Sequence, residues 1–376
     1  MIPIAKPYLN EAEAQAAYDT ILSGWITQGP RVAEFEEKFA AYTGAEYAVA
    51  LSNCTTALHL CMIVAGIGPG DEVICPSLSY IASSNSILYV GATPVFAEVS
   101  PSDYNLDIAD VERKITSKTR AILLVHQIGM PADIDAFTQL AKKHNLLIIE
   151  DAACAIGSEY KGKRIGSHGD LVCFSFHPRK VISTGDGGMI TTHNKEMAER
   201  LKLLRQHGMS VNASARHQSS KIIFEEHVAV GYNYRLTDIQ AAVGIQQLAK
   251  LDQIVKDRRA IAYTYHDAFS GIDCIELPYE KEGYFSNYQS YSVILKDNCK
   301  LSRNELMQKM MDEGISTRRG VMTSHREPAY ADFCKDVSLP VTEKLSDNSI
   351  ILPLYVPMDA DDIQKVISVF KRLVAS

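Results

Sequence analysis

The sequence predicts an α/β protein whose mostly parallel sheet is covered by helices on both faces. Short apolar runs alternate with stretches of helical length from about residue 45 to residue 205, which is typical of strands buried on both sides. Turn signals rich in glycine and proline separate the units, as at Gly68–Asp71 and Gly91–Pro94. The predicted strands are Tyr47–Leu51, Glu72–Pro76, Thr93–Ala97, Ala121–Val125 and Leu146–Glu150, and helices are predicted at Ala57–Val64 and Ile134–Lys143.

The C-terminal third predicts a smaller α+β domain. A helical pattern begins at Thr237 and continues to Val255, and we interpret it as the connection between the two domains. We expect a large domain over residues 1–245 and a small domain over residues 246–376. The small domain's predicted elements are a strand at Ser290–Leu295, a helix opened by a capping box at Ser302–Glu305 and a final amphipathic helix from Ile363 to Val374.

Composition and charge exclude several classes of protein. Hydrophobic residues make up 46% of the 376 residues and the net charge is -7, so a broad basic face for nucleic acid is not expected. No run approaches the roughly 20 apolar residues that span a bilayer, and the N-terminus shows no secretory pattern. Eight scattered cysteines without a Cys-x-x-Cys pair argue against a disulfide framework and against a metal site. These features are typical of a cytoplasmic enzyme with reduced thiols.

Small hydroxyl residues follow the first predicted strand, at Thr55 and Thr56. The N-terminus of a helix presents free backbone N–H groups and the positive end of the helix dipole, so such a turn suits a phosphate. An ordinary helix cap explains the same residues, and the stretch alone favours that interpretation.

Two acidic residues, Glu150 and Asp151, end a predicted buried strand and are followed by small residues. Asp151 should therefore project at the carboxyl edge of the sheet, where open α/β sheets bind ligands. A carboxylate at that edge can hold a pyridine nitrogen protonated and make the ring an electron sink. A helix-capping role for Asp151 is an equally good explanation of this stretch alone.

Lys180 lies in a short segment between a predicted buried strand and the glycine-rich loop Gly185–Gly188. Desolvation can lower the pKa of a lysine and allow it to form a Schiff base. Ser175, five residues earlier, is near enough in the chain to contact the phosphate of the same ligand. A lone lysine is usually a surface charge, so the order of these features carries more weight than any one of them.

That order resembles the DegT/DnrJ/EryC1/StrS family of sugar aminotransferases, and the resemblance covers essentially the whole chain. The matching segments are Gly24–Pro30, Thr55–Leu58, Glu150–Ala153, Phe174–Phe176 with Lys180, Gly231–Arg235 and Ile351–Tyr355. No single segment is decisive, but together they are highly specific.

The resemblance implies a pyridoxal 5'-phosphate (PLP) enzyme of fold-type I, similar to aspartate aminotransferase, that forms a homodimer with shared active sites. Lys180 would carry the cofactor and later move the proton between substrate and cofactor. Asp151 would pair with the pyridinium nitrogen, and Tyr80 would stack on the ring. The phosphate contacts implied by the family are Thr55, Thr56, Ser175 and, from the partner subunit, Asn233. One departure is Cys154, because the family often has glutamine there and a thiol is a poorer hydrogen-bond donor.

Similar enzymes move an amino group from L-glutamate to a keto group of a nucleotide-linked deoxysugar, for surface polysaccharide or other glycoconjugates. The Gly24–Pro30 segment resembles members that act at C-4 rather than C-3. A nucleotide diphosphate needs cations, and Arg235, His325 and Arg319 are candidates for contact with the substrate. Solvated surface residues are an equally good interpretation, above all for Arg319.

Three other functions fit the sequence less well than an aminotransferase does. A sugar dehydratase of the same family has histidine in place of the cofactor lysine, whereas position 180 is lysine here and His177 lies three residues too early. A non-catalytic regulator is disfavoured by the intact set of Asp151, Ser175 and Lys180 and by the acidic charge. A nicotinamide enzyme would show Gly-x-Gly-x-x-Gly after the first strand, and no such motif is present.

Overall fold

The computed structural model describes residues 1–210 and 224–375, and its centre is a seven-stranded sheet. The strands of the N-terminal two-thirds are β1 (Tyr47–Leu51), β2 (Glu72–Pro76), β3 (Thr93–Ala97), β4 (Thr119–Val125), β5 (Leu147–Asp151), β6 (Glu159–Tyr160), β7 (Lys163–Arg164), β8 (Val172–Ser175) and β9 (Gly188–Thr192). The sheet has the order β1-β9-β8-β5-β4-β2-β3. All neighbours pair in parallel except β9, which runs antiparallel to both β1 and β8. The predicted α/β class with a mostly parallel sheet is confirmed.

The predicted strands agree closely with the observed ones. The first three have the predicted bounds, while β4 begins two residues earlier, at Thr119. β5 is shifted by one residue, so that Asp151 is its last residue instead of the one after it. The helices of this part of the chain are α1 (Glu11–Leu22), α2 (Pro30–Thr43), α3 (Cys54–Val64), α4 (Ala82–Tyr89), α5 (Ile108–Arg113), α6 (Ile134–His144), α7 (Lys195–Leu204) and α8 (Asp238–Ala249).

An aromatic cluster fastens α2 to the strand that leads into the Lys180 segment. Phe35 and Phe39 of α2 are fully buried against Phe174 and Phe176, with ring centroids 5.1 Å apart for Phe39–Phe174 and 5.3 Å for Phe35–Phe176. Removing one such buried ring typically costs about 3–5 kcal/mol, so the cluster fixes the position at which β8 ends.

The buried carboxylate of Asp238, the first residue of α8, holds the segment that leads into α2. It accepts hydrogen bonds from the backbone N–H groups of Gly29 (2.7 Å), Arg31 (3.0 Å) and Val32 (3.0 Å). These N–H groups belong to the start of α2, where no helix carbonyl can accept them. The Gly24–Pro30 segment is thereby tied to the helix that follows the Asn233 region.

The C-terminal part contains a second, four-stranded sheet with its own apolar core. The single helix predicted from Thr237 to Val255 is wrong, because the chain leaves helical geometry at Lys250 (φ -108°, ψ 6°). The predicted domain boundary at residues 245/246 falls inside α8 and stays a prediction. The elements that follow are α9 (Leu251–Phe269), β10 (Ile275–Glu276), β11 (Tyr284–Phe285), β12 (Tyr291–Leu295), α10 (Arg303–Asp312), β13 (Arg318–Arg319), α11 (Pro340–Asn348), β14 (Ser349–Leu352) and α12 (Ala360–Ala375).

This second sheet is antiparallel and has the order β10-β12-β14-β13, while β11 joins β6 and β7 in a small separate sheet. The predicted capping box is present, because the Ser302 and Glu305 side chains each bond the other's backbone N–H. Over residues 1–210 and 224–375, no helix is both long and apolar enough to cross a membrane. The predicted cellular location stays a prediction.

Candidate active site

The candidate residues meet at the edge of the sheet where β1 and β8 end and β9 begins. Gly188, the first residue of β9, pairs with Leu51 at the end of β1 and with Ser175 at the end of β8. A Cβ atom on Gly188 would lie 2.5 Å from the backbone carbon and oxygen of Asn53, closer than real contacts allow. Only glycine fits there, and it lets the turn after β1 approach the end of β8.

The turn after β1 is capped by Asn53, a residue that sequence reasoning did not single out. Its side-chain oxygen accepts the N–H of Thr56 at 2.9 Å, while the Thr56 hydroxyl donates to the Asn53 carbonyl at 2.7 Å. The backbone N–H groups of Cys54 and Thr55 lie in the first turn of α3 and have no partner within the helix. This arrangement is a helix cap and also leaves two donors for an anion. The spacing Asn-x-x-Thr at a strand end could have predicted the cap.

The carboxylate of Asp151 is buried and held in one orientation. One oxygen accepts the Ser83 hydroxyl at 2.7 Å and the other accepts the Ala153 N–H at 3.1 Å. The neighbouring Glu150 points to the other face of β5, where it bonds Nε2 of buried His126 at 2.8 Å. Of the two acids, Asp151 is therefore the one at the site, and Ser83 on α4 is a positioning residue that sequence reasoning missed.

The Lys180 amine touches a thiol. Its Nζ donates to Cys154 Sγ at 3.1 Å, and its backbone N–H bonds the His177 carbonyl in a tight turn. Burial acts to lower the pKa of Lys180, but the contact with Cys154 and the charge of Asp151 outweigh it and leave the pKa above its usual value.

Electrostatic coupling shows that these residues form one cluster. Burial raises the pKa of Cys54 well above its usual value, the charge of Asp151 raises it further and that of Lys180 acts in the opposite direction. Cys54 begins α3, so the anion turn, Asp151, Lys180 and Cys154 share one site. Asn287 adjoins the site, because its side-chain amide donates to the carbonyls of Cys154 and Ile156 at 2.8 Å each.

Ser175 and Tyr80 differ in their exposure to solvent. Ser175 is buried at the end of β8, with its hydroxyl oxygen 3.4 Å from the His177 N–H. Tyr80 precedes α4 and is 62% exposed, so its ring is available to a ligand. The loop that carries Tyr80 is held by the segment that follows β13 of the four-stranded sheet, since the Ser79 N–H donates to the Met322 carbonyl at 3.1 Å.

The Asn233 side chain is exposed and oriented by its neighbour. Arg235 donates to Asn233 Oδ1 from Nε at 3.2 Å and from Nη2 at 3.0 Å, which leaves the amide nitrogen of Asn233 as a donor. The Tyr234 carbonyl accepts the Ser52 N–H at 2.8 Å, so this segment adjoins the turn after β1. Arg235 thus supports Asn233 in this structure, and its predicted contact with substrate stays a prediction.

The other two predicted substrate contacts have protein partners in this structure, and their contact with substrate stays a prediction. His325 is buried, with Nδ1 2.5 Å from the Ser77 hydroxyl and Nε2 3.2 Å from Glu343 Oε1, so both ring nitrogens have protein partners. Arg319 is exposed and its Nη2 lies 3.4 Å from Glu327 Oε1. The preceding residue, Arg318, is partly buried; burial lowers its pKa, and the charges of Cys154 and Tyr80 act in the opposite direction.

Comparisons with known proteins identify the family to which the chain belongs. A family model described as the DegT/DnrJ/EryC1/StrS aminotransferase family matches residues 7–371. The chain is 38% identical to the GDP-perosamine synthase of Caulobacter vibrioides (99% of this chain, 98% of that protein) and 37% identical to the spore coat polysaccharide biosynthesis protein SpsC of Bacillus subtilis (99% and 97%). The solved structure of Spr1654 of Streptococcus pneumoniae in its PLP form superposes with a TM-score of 0.92 at 30% identity, covering 100% of this chain and 98% of that chain.

Proposed function

The chain belongs to the DegT/DnrJ/EryC1/StrS family of PLP-dependent sugar aminotransferases, and we propose that Lys180 carries the cofactor during transfer of an amino group from L-glutamate to a nucleotide-linked keto-sugar. The observation that carries the proposal is the Lys180 amine 3.1 Å from Cys154 Sγ, three residues after the fixed carboxylate of Asp151, at the sheet edge where β1 ends and α3 follows. The keto group is proposed to be at C-4 of a deoxysugar, on the strength of the Gly24–Pro30 segment.

The donor set of the site fits pyridoxal phosphate. A phosphate needs several N–H and hydroxyl donors, which the first turn of α3, the Thr55 hydroxyl and Ser175 provide. The Thr56 hydroxyl donates to the Asn53 carbonyl in this structure, so its proposed contact with phosphate requires that hydroxyl to rotate. A pyridine nitrogen needs a carboxylate fixed in place, and Asp151 is held by Ser83 and the Ala153 N–H. The aldehyde needs a primary amine, which is Lys180. The exposed ring of Tyr80 is proposed to stack on the bound ring.

Bound PLP acts as an electron sink for the carbon that loses its proton. Lys180 is proposed to bind the cofactor and then, once substrate has displaced it, to carry that proton from one carbon to the other. Asp151 keeps the ring nitrogen protonated, and its burial excludes the water that would weaken this interaction. Asn233, oriented by Arg235, is proposed to donate to the phosphate in the partner subunit of a homodimer.

The nature of the acceptor is supported by the relatives. One is named as a GDP-perosamine synthase and another as a spore coat polysaccharide biosynthesis protein. We therefore propose a nucleotide-diphosphate sugar as acceptor and a surface polysaccharide or other glycoconjugate as the destination of the product.

Two half-reactions test this function separately. L-glutamate should bleach the visible absorption of the purified holoenzyme and release 2-oxoglutarate. One member of a panel of nucleotide-linked 3-keto and 4-keto deoxysugars should then restore the colour, and NMR of the product should show the new amino group at C-4. If glutamate bleaches the enzyme but no keto-sugar restores the colour, the sugar assignment is wrong and the aminotransferase assignment is unaffected.

The contact between Cys154 and Lys180 predicts how the cofactor attaches at different pH values. Because the pKa of Lys180 is raised, its amine is mostly protonated near neutral pH, and attachment of PLP to the cofactor-free protein should accelerate as pH increases. Replacing Cys154 by alanine removes one cause of the raised pKa and should speed attachment severalfold at neutral pH. Stopped-flow absorbance measures the rate. The control is Cys299→Ala, which lies between β12 and α10 in the C-terminal part of the chain. An unchanged rate in Cys154→Ala would contradict this account of the lysine pKa.

A further inference from the structure

Arg318 and Arg319 form β13, a two-residue strand, and their side chains point to opposite faces. They pair with Ile351 and Ile350 of β14, and successive residues of a strand alternate between its faces. Arg319 turns to solvent and pairs with Glu327, whereas Arg318 is only partly exposed. Within residues 1–210 and 224–375, the Arg318 guanidinium has neither a hydrogen bond nor an ion pair.

Backbone pairing holds the segment that follows β13 against the loop that carries Tyr80. The segment after β13 is fastened to that loop by two bonds, from Ser79 N–H to the Met322 carbonyl at 3.1 Å and from Ser324 N–H to the Ser77 carbonyl at 2.9 Å. An isolated bridge between Leu78 and Thr323 lies between them. These bonds hold the segment after β13 beside the loop that carries Tyr80.

The charges around Arg318 lack a balancing anion. Burial lowers the pKa of Arg318 first, the positive charges of Arg179 and Arg319 lower it further, and Cys154 and Tyr80 act in the opposite direction. Arg179 is the residue directly before Lys180, so its charge and that of Arg318 act on each other near the site. A partly desolvated guanidinium is unfavourable unless an anion pairs with it, and its planar fork matches a carboxylate through two parallel hydrogen bonds.

We propose that Arg318 binds the α-carboxylate of the amino-acid donor and so fixes the donor's orientation at Lys180. This inference rests on the proposed function. The α-carboxylate is bonded to the same carbon as the reacting amino group, so its anchor must lie close to Lys180. The diphosphate of a nucleotide sugar is separated from a reacting ring carbon by the sugar itself. Arg318 lies on the strand whose following segment pairs with the Tyr80 loop, and Cys154, which contacts the Lys180 amine, acts on its charge, so Arg318 suits the donor better.

A matched pair of donors tests the proposal in the holoenzyme. L-glutamate and 4-aminobutyrate differ by the α-carboxylate alone, and bleaching of the visible absorption reports the first half-reaction for both. In Arg318→Gln, the concentration of glutamate needed for half-maximal bleaching should increase about 100-fold, while the response to 4-aminobutyrate should change little. Arg318→Lys should recover part of the loss, because it keeps the charge without the planar fork.

Arg372→Gln, on α12 and paired with Glu313, is the control for loss of a guanidinium and should respond to both donors like the unmodified enzyme. Thermal unfolding of Arg318→Gln and Arg318→Lys separates a folding defect from a binding defect. An equal loss with both donors, or a loss only when the amino-sugar is supplied in the reverse direction, would overturn the proposal. If the unmodified enzyme fails to respond to glutamate or to any other amino acid, the proposed function itself fails, an outcome distinct from failure of the Arg318 assignment.

Discussion

Replacing Lys180 by alanine should abolish transamination and the visible absorption of the holoenzyme. The substitution removes both the amine that holds the cofactor and the base that moves the proton, so we expect a loss of at least about 10⁴-fold in kcat. Phosphate contacts at Thr55, Thr56 and Ser175 are untouched, so the cofactor should still bind non-covalently. Steady-state kinetics with glutamate and the keto-sugar identified by the panel, together with absorption spectra, measure the effect.

Replacing a lysine far from the site should leave transamination and the visible absorption unchanged. Lys371 is exposed on α12, in the C-terminal part of the chain, and Lys371→Ala serves as the control for charge and for handling. Lys180→Arg keeps a positive charge but cannot form the covalent link, so it should be as inactive as Lys180→Ala. Activity of Lys180→Arg within tenfold of the unmodified enzyme, a generous margin against the expected loss, would contradict the assigned role.

Replacing Asp151 by asparagine should reduce kcat by about 10²- to 10³-fold with little change in thermal stability. The amide has nearly the same shape and can still accept the Ser83 hydroxyl, but it carries no charge to hold a pyridine nitrogen protonated. The loss should therefore lie in the chemical step rather than in cofactor content. Single-turnover bleaching with glutamate and the ratio of absorbance at the cofactor band to protein separate the two effects.

Ser83→Ala gives a graded companion to this prediction. It leaves the Asp151 charge in place and removes one hydrogen bond that orients it, so the expected loss is about tenfold. Asp332→Asn, in an exposed turn, is the control for loss of a carboxylate. A Ser83→Ala enzyme as impaired as Asp151→Asn would show that position, and not charge, is what Asp151 contributes.

The strands were predictable because local features mark both of their ends. β1, β2 and β3 are mostly apolar runs that stop before a polar residue (Ser52, Ser77 and Glu98), and the structure gives them the predicted bounds. The predicted helix through Lys250 failed because the periodicity of apolar residues continues smoothly across the break. Nothing in the local pattern marks a change of direction at Lys250, which is set by packing of α9 on the C-terminal sheet.

The site was predictable only in part, for a related reason. Asp151 and Lys180 are recognisable from their places at a strand end and before a glycine-rich loop. The contact from Ser83 to Asp151 spans 68 residues and leaves no local trace. Position 318 could not be distinguished from 319 by the sequence, because it is the pairing of β13 with β14 that puts the two side chains on opposite faces.

Cys154 illustrates how the structure changes the weight of a residue. The sequence marks it only as a departure from the family's glutamine. The structure places its sulfur 3.1 Å from Lys180 Nζ, so it acts directly on the amine that is proposed to carry the cofactor.

The central claim, that Lys180 holds the cofactor at this site, is tested most directly by locating the covalent link. Borohydride reduction of the holoenzyme, followed by proteolysis and mass spectrometry, identifies the lysine that carries the reduced cofactor. The account predicts a single modified peptide with the added mass on Lys180, absent when glutamate is added before reduction. Modification of another lysine in place of Lys180, or no modification of a protein reconstituted with PLP, would contradict it.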